Sequence, residues 1–229
     1  VMIGALVALS RAPAAEPPAP AMSYAAHALA QRGRAGEFEA QAEAWRQELD
    51  GLAPLLDLPT DLPRPPRRDP AGARLRFEAP DALLPRIEAL ARAHATTPYV
   101  VLLAAFHALH ARYSGAQDIC IGTTVSNRDR AEVADTVGYF ANTLALRARI
   151  DPAESFAATV ARLKSVVLSA LSRQEVPFER VVELAAPQRS LAHAPLVQSM
   201  FNLHRRQPAR IELPGLSLSP EPTPGRGAR

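Results

Sequence analysis

One stretch, PYVVLLAAFHALHARYS at residues 98–114, constrains the fold more than any other part of the chain. Its pattern is helical, and apolar side chains occupy most faces of the predicted helix. A helix with no clearly polar face is stable only inside a core, so we expect this one to be buried. Thr97 and Pro98 provide a helix start, and Gly115 provides a stop. Other elements must therefore pack around this segment.

The surrounding sequence predicts a mixture of helices and strands. GEFEAQAEAWRQEL places Phe38, Ala42, Trp45 and Leu49 on one helical face, with a break expected near Gly33 and Gly36. This mixture indicates an α/β fold of mixed α+β layers, without internal repeats. The other predicted helices are DALLPRIEALARAHA, SFAATVARLKSVVLSALSRQ and PFERVVELA, and the predicted strands are ARLRFEA (Leu75 and Phe77 inward), DICIGTTVS, TVGYFANTLALRARI and VQSMFNLH.

Two proline-rich stretches interrupt these patterns. Residues 13–20 favour an extended connection, because proline removes a backbone donor and fixes φ. Residues 53–72, APLLDLPTDLPRPPRRDPAG, contain too much proline for a helix or a central strand. We expect a long ordered linker that crosses the surface, since loops of this length are usually functional or specifically packed.

Composition argues against several classes of protein. The formal net charge is only +3 and no block of like charges occurs, so no nucleic-acid surface is predicted. The apolar run VMIGALVALS lacks the preceding positive residues of a secretory signal and is shorter than the ~20 residues that span a bilayer. We interpret it as the end of a helix. Cys120 is the single cysteine, which excludes an intrachain disulfide; its apolar neighbours indicate a buried thiol.

Common catalytic motifs are absent from the sequence: it contains no P-loop, GxSxG, GxGxxG or HExxH pattern. His107 and His110 lie three residues apart on the predicted buried helix, but no cysteine or acidic residue lies at a supporting spacing for a metal. We expect both histidines to be packed or hydrogen-bonded. Asp57 and Asp61 lie in a proline-bound loop, where turn roles are commoner than acid–base chemistry.

Four segments, in order, carry a resemblance to a known family. They are LDGLAPLLDLPTDLPRP at 49–65, IGTTVSNRDRAEVADTVGYFANTL at 121–144, QEVPFERVVEL at 174–184 and RSLAHAPLVQSMFNL at 189–203. Residues 24–32 provide a weaker fifth. Together these segments resemble motifs of the condensation domains of nonribosomal peptide synthetases.

That resemblance implies a chloramphenicol-acetyltransferase-like fold with two lobes around a tunnel. It implies amide-bond formation between an aminoacyl or peptidyl thioester donor and an aminoacyl acceptor, in the biosynthesis of secondary metabolites such as antibiotics. Both substrates would arrive on the 4'-phosphopantetheine arms of upstream and downstream carrier domains, beside an adenylation domain. No cofactor or metal bound by this chain, no nucleic acid and no membrane are expected, and the location is expected to be cytoplasmic.

In the family's terms, three regions are expected. Residues 1–20 form the end of an N-lobe helix and a connection, residues 21–74 form helices and the linker between lobes, and residues 75–229 form most of a C-terminal lobe. The family's catalytic motif is HHxxxDG, and the sequence contains no HH pair. We therefore assign no catalytic residue and expect an internal fragment, truncated at both ends and inactive alone.

The resemblance assigns supporting roles to three residues. Arg128 matches the family arginine that pairs with the aspartate of HHxxxDG. Asn127 and Asn142 match motif positions that are expected to order loops near the tunnel. The chain also departs from the family pattern, because Arg173 stands where histidine is usual and Glu175 replaces an aspartate.

Three alternatives stay open at this point. A condensation-like module could lack catalysis and serve as an interaction module. A stand-alone acyltransferase of the same fold could act on a free acceptor. An epimerisation domain shares the fold, although its strand–loop motif differs from SNRDRAEVADTVGYFANTL. An HHxxxDG motif encoded directly upstream would favour the enzyme, and a start codon at Val1 would favour the interaction module.

Overall fold

The computed structural model of the chain describes residues 19–69, 71–185, 190–204, 211–213 and 216–219. Helices and strands are mixed, as predicted. No helix in this part of the chain is long and apolar enough to cross a bilayer. The elements are α1 (Tyr24–Gly33), α2 (Ala35–Leu49), α3 (Leu83–Ala93), α4 (Pro98–Ser114), β1 (Asp118–Val125), a 3₁₀ turn (Ala131–Val133), β2 (Asn142–Arg149), α5 (Phe156–Leu171), α6 (Phe178–Ala185), β3 (Ile211–Leu213) and β4 (Leu216–Leu218).

The chain divides into two compact units. Of the described residues, the smaller unit contains 19–37, 126–141 and the β3–β4 hairpin. The larger unit contains 38–125 and 142–203. The boundaries expected at residues 20 and 74 stay predictions, and the helix end expected within residues 1–18 lies outside the described residues.

Helix α4 lies in the core of the larger unit, as its apolar faces predict. The side chain of Thr97 caps the helix by accepting from the Val100 N–H, and Gly115 ends it with a left-handed φ of 71°. Leu103 and Ala104 are fully buried. The helix packs against α3, α5 and β1. The predicted start and end of this helix are confirmed, and burial is confirmed for part of its surface only, since Leu109 and Tyr113 are 48% and 65% exposed.

Helix α2 buries the face that its spacing predicts, since Phe38, Ala42, Trp45 and Leu49 are all in the core. The break before it falls at Arg34, between the two glycines that predicted it. These residues therefore confirm both the helical face and the position of the break.

Arg147 of β2 joins the end of α2 to the sheet. Its guanidinium donates to the carbonyl oxygens of Glu48 and Asp50, each at 2.7 Å. It also forms a two-pronged pair with Asp118 of β1, at 2.9 and 2.6 Å. That pairing holds the pKa of Asp118 below its usual value. One side chain thus ties a helix end and both strands together.

Strands β1 and β2 form an antiparallel pair in which Asp118 lies opposite Arg149 and Val125 lies opposite Asn142. On the other side of β1, Gly122 forms an isolated parallel bridge with Met200. A Cβ at Gly122 would stand 2.2 Å from the Met200 sulfur and 2.4 Å from a Val197 methyl carbon. Glycine at this position therefore allows the 197–201 segment to lie against the strand.

Three sequence predictions need correction. The strand expected at ARLRFEA is absent, and Leu75 and Phe77 are 86% and 80% exposed. Within the described residues no strand lies beside this segment, and a single strand without ladder bonds is not stable. In VQSMFNLH only Met200 pairs with a strand. The helical spacing also predicts one apolar stripe along α5, formed by Phe156, Val160, Leu163, Val167 and Leu171. Val160 and Leu163 are buried, whereas Phe156 and Leu171 near the helix ends are 40% and 38% exposed.

The proline-rich linker has no helix or strand at its described residues between 52 and 69, as predicted. Leu56 is buried, and its N–H donates to the Gln198 side chain at 2.9 Å. Gln198 in turn donates to the carbonyl oxygen of Pro54 at 3.2 Å. The linker is therefore fixed at this point by specific hydrogen bonds.

Candidate functional site

The segment that follows β1, residues 126–141, is called here the Arg128 loop. It contains one short 3₁₀ turn and otherwise no regular structure. The chain enters it through Asn127, whose φ is 51°. Asparagine adopts this left-handed conformation more readily than most residues, so the turn after β1 suits the residue that occupies it.

Arg128 organises this loop from within. Its guanidinium donates to the carbonyl oxygens of Val133 at 2.6 Å and Thr136 at 2.8 Å, with longer bonds to those of Ala134 and Gly138. One planar, five-donor group thus supplies hydrogen bonds to four carbonyl oxygens of the loop. The backbone of the loop is therefore held together by hydrogen bonds to one guanidinium group.

An aromatic ring supports that cation on its other side. The guanidinium carbon of Arg128 lies 4.1 Å from the centroid of the Phe140 ring, a cation–π contact. Phe140 is 6% exposed, and Val133 is 1% exposed. The Arg128 loop therefore has a small interior of its own.

Helix α1 contacts the loop through Tyr24. The Tyr24 hydroxyl donates to the Tyr139 carbonyl oxygen at 3.0 Å, and its ring meets that of Phe140 edge-on at 5.3 Å. The Thr136 hydroxyl donates to the carbonyl oxygen of Met22 at 2.6 Å. The side chain of Ser23 caps α1 by accepting from a backbone N–H, which fixes where the helix begins.

In the larger unit, Asn142 likewise forms hydrogen bonds to the backbone of an irregular segment. This segment, residues 172–178, is called here the Asn142 turn. Its amide nitrogen donates to the carbonyl oxygens of Gln174 at 2.8 Å and Val176 at 2.7 Å. Its amide oxygen accepts from the N–H groups of Phe178 at 3.0 Å and Thr143 at 2.9 Å. All four hydrogen-bonding positions of this side chain are therefore used, and the first N–H of α6 is capped.

Arg173 holds the Asn142 turn from a second direction. Its guanidinium pairs with Glu48 and lies 4.5 Å from the ring centroid of Trp45. The Trp45 ring N–H donates to the carbonyl oxygen of Arg173 at 3.3 Å. Arginine, at the position where the resemblance led us to expect histidine, thus serves as an ionic and stacking partner of α2.

The three residues singled out from the sequence are divided between the units. Asn127 and Arg128 are neighbours in the smaller unit, and Asn142 lies in the larger one. Their supporting roles near a catalytic tunnel stay predictions. Sequence reasoning missed Tyr24, Thr136 and Gly138 as partners in the Arg128 loop. The aromatic start of α1 was noticed, but no pattern in the sequence linked it to residues more than a hundred positions away.

The two helix histidines have structural partners. His107 Nδ1 and Nε2 lie 3.0 Å and 3.2 Å from the carbonyl oxygens of Leu103 and Leu146. His110 Nδ1 lies 2.8 Å from the Phe106 carbonyl oxygen, and its Nε2 lies 2.9 Å from the Ser199 hydroxyl. The prediction of hydrogen-bonded helix histidines is confirmed.

The described residues contain no group of three or more histidine, cysteine or acidic side chains placed to hold an ion. Cys120 is buried, as predicted, and burial raises the pKa of its thiol to about 12. The thiol is therefore protonated at neutral pH and unsuited to act as a nucleophile.

Comparison with known proteins shows which family this chain matches. Residues 9–216 match the family model described as "Condensation domain". The chain is 45% identical over 157 residues to phosphinothricin tripeptide synthetase PhsC of Streptomyces viridochromogenes, and 42% identical over 188 residues to PhsB of the same organism. The matches cover 69% and 82% of this chain but only 14% and 16% of those relatives.

Solved structures show a similar fold. The X-domain from teicoplanin biosynthesis, in its complex with OxyB, superposes with a TM-score of 0.80 at 26% identity. The superposition covers 93% of this chain and 48% of that one.

Proposed function

The chain belongs to the condensation-domain family of nonribosomal peptide synthetases, and from this membership we propose that it contributes to a domain that forms amide bonds. The fold is the chloramphenicol-acetyltransferase-like one expected from the sequence. The proposed reaction joins a donor aminoacyl or peptidyl thioester to the amine of an aminoacyl acceptor. The match over residues 9–216 is the observation that carries this proposal.

The proposed chemistry depends mainly on placing two tethered reactants together, since orientation can replace a large part of the barrier. A group near the attacking amine would also accept its proton or stabilise the tetrahedral intermediate. The 229 residues contain no HH pair that could play this part. We therefore assign Arg128, Asn127 and Asn142 to support of the site and assign the chemistry to none of them.

Carrier domains upstream and downstream and an adenylation domain are the proposed partners. The synthetases that match are several times longer than the matched region, which leaves room in them for such domains. The substrates would be held on 4'-phosphopantetheine, so the proposal needs no cofactor bound to this chain. A cytoplasmic location, expected from the resemblance, stays part of the proposal.

The test uses the complete synthetase that contains this sequence. It would be mixed with carrier domains loaded with donor and acceptor, and the products would be followed by mass spectrometry. We expect an amide-linked product, and none when the acceptor amine is acetylated, because that control removes the nucleophile. We expect the 229-residue chain alone to give no product. Absence of product from the complete synthetase would contradict the proposal.

A second candidate is a condensation-like module that binds another protein and does not catalyse. The observation that favours it is the similarity to the X-domain, a protein whose structure was solved in complex with OxyB. The same assay separates the two candidates. An interaction module would give no amide product from any loaded carrier pair, whereas a condensation domain would.

A further inference from the structure

The Tyr24 side chain lies directly against the Arg128 loop at Gly138 and Tyr139. A Cβ built at Gly138 would stand 2.3 Å and 2.7 Å from two carbon atoms of the Tyr24 ring. The ring therefore occupies the space that a side chain at position 138 would need. At the next residue, the Tyr24 hydroxyl donates to the Tyr139 carbonyl oxygen at 3.0 Å.

The same ring reaches Arg128 through one intermediate. Tyr24 meets Phe140 edge-on, with ring centroids 5.3 Å apart at an interplanar angle of 79°. The guanidinium of Arg128 lies over that Phe140 ring at 4.1 Å. Edge-on aromatic pairs and cation–π contacts both depend on ring orientation, so rotating Phe140 would weaken the support under the cation.

The loop is held from outside at two further points, the Thr136 hydrogen bond to Met22 and the contact of the His27 and Phe140 rings, whose centroids lie 4.7 Å apart. Its own backbone bonds are three short-range ones, which the N–H groups of Val133, Ala134 and Thr136 donate to carbonyls three residues earlier. The Arg128 side chain is flexible and loses much rotamer entropy when it is fixed in one conformation. The loop carbonyls that accept its hydrogen bonds can fix it only while the loop itself is ordered. Tyr24 supplies both a ring and a hydroxyl from a capped helix.

We propose that Tyr24 is a positioning residue for Arg128, acting through Phe140 and through the backbone at Gly138 and Tyr139. The proposal deepens the proposed function, because it names a residue that sets the geometry of an arginine assigned to the condensation site. It requires no chemistry from Tyr24 itself. Its consequence is energetic coupling: the effect of removing Tyr24 should depend on whether Arg128 is present.

The test is a double-mutant cycle in the complete synthetase, with Tyr24→Ala, Arg128→Ala and the double variant. We expect Tyr24→Ala to lower kcat for condensation about tenfold, with a smaller effect on KM, and to cause little further loss in the Arg128→Ala background. Tyr24→Phe keeps the ring and should lose only a few-fold. Tyr113→Ala, which removes a 65% exposed tyrosine from α4, is the matched control and should leave kcat unchanged.

A second readout does not depend on catalysis. Hydrogen exchange at the amides of Val133, Ala134 and Thr136 should become about tenfold faster in Tyr24→Ala and in Arg128→Ala, without further acceleration in the double variant. If the complete synthetase forms no amide, the proposed function fails and this exchange cycle alone decides the positioning role. Independent, additive effects of the two substitutions, or exchange no faster than in Tyr113→Ala, would overturn the proposal.

Discussion

The Arg128 loop and the Asn142 turn are each held by one polar side chain, but the two side chains bind carbonyls at different distances along the chain. Each is an irregular segment whose carbonyl groups are satisfied by the donors of one polar side chain. Arg128 bonds to carbonyls five to ten residues further along the chain. Asn142 bonds to carbonyls 32 and 34 residues away, across an intervening helix.

This difference in reach separates local order from global stability. Opening the Arg128 loop would break contacts within that segment and with the start of α1, and such openings can occur well below the free energy of global unfolding. Releasing the Asn142 turn would uncouple β2 from the start of α6. We therefore expect damage at Asn142 to lower the free energy of unfolding, and damage at Arg128 to appear first as local mobility.

The largest effect is expected from Asn142→Asp. The new carboxylate would face the carbonyl oxygens of Gln174 and Val176 in place of two donors, which should cost about 3 kcal/mol or more. The denaturant midpoint measures the loss. Asn127→Asp is the matched control, because aspartate also tolerates a left-handed φ and the free energy of unfolding should change little. Equal losses at the two positions would contradict this assignment.

A pair of glycines sharpens the comparison. Gly122→Ala forces a methyl group to within 2.4 Å of Met200 and Val197 atoms, and overpacking of this kind should lower the free energy of unfolding by about 1–3 kcal/mol. Gly138→Ala displaces the Tyr24 ring and should accelerate hydrogen exchange mainly within 128–140. A global loss at Gly138 as large as that at Gly122 would break the distinction between the two regions.

Arg128→Ala should cost less overall than the change at Asn142 but more than Arg130→Ala. Arg128 donates several charge-assisted hydrogen bonds, so we expect a local loss of about 1–3 kcal/mol. Arg130 forms one exposed ion pair with Glu132, worth about 0–1 kcal/mol. Exchange rates and midpoints for both variants, with Arg128→Lys as a partial rescue, measure the order. Indistinguishable values for the two alanine variants would show that Arg128 does not hold its loop.

The smallest expected effect is a dependence on pH in the larger unit. Burial lowers the pKa of His107, so the folded state binds its proton less readily than the unfolded chain does. The stabilisation is complete above the unfolded pKa of about 6.5 and is lost as the pH falls towards the folded value. Midpoints between pH 7 and pH 5 should fall less steeply in His107→Gln. An unchanged slope would place the titrating group elsewhere.

Prediction from the sequence succeeded where a rule is local. Thr97, Pro98 and Gly115 mark the ends of α4 because capping involves only adjacent residues. The four-residue spacing of Phe38 and Ala42 showed the buried face of α2 for the same reason. Leu75 and Phe77 also alternate locally, but a strand exists only when another strand pairs with it.

The candidate site was harder to predict. The resemblance pointed to Arg128 and Asn142 but could not show what they bind in this chain. The partners of Arg128 are mainly backbone carbonyls, which every residue carries and which leave no signature in a sequence. Tyr24 is joined to Tyr139 across 115 positions, and the fold alone brings them together.

Cys120 affects how motion of the Arg128 loop could be observed. It is the sole cysteine in the sequence, and burial raises the pKa of its thiol to about 12, so the thiol is protonated at pH 7. Maleimides and iodoacetamides react with the ionised form of a thiol, so we expect them to label Cys120 of the native chain very little. A cysteine introduced at exposed Val137 would then carry a fluorophore or spin label by itself, and the tip of the Arg128 loop could be followed without first removing a native thiol.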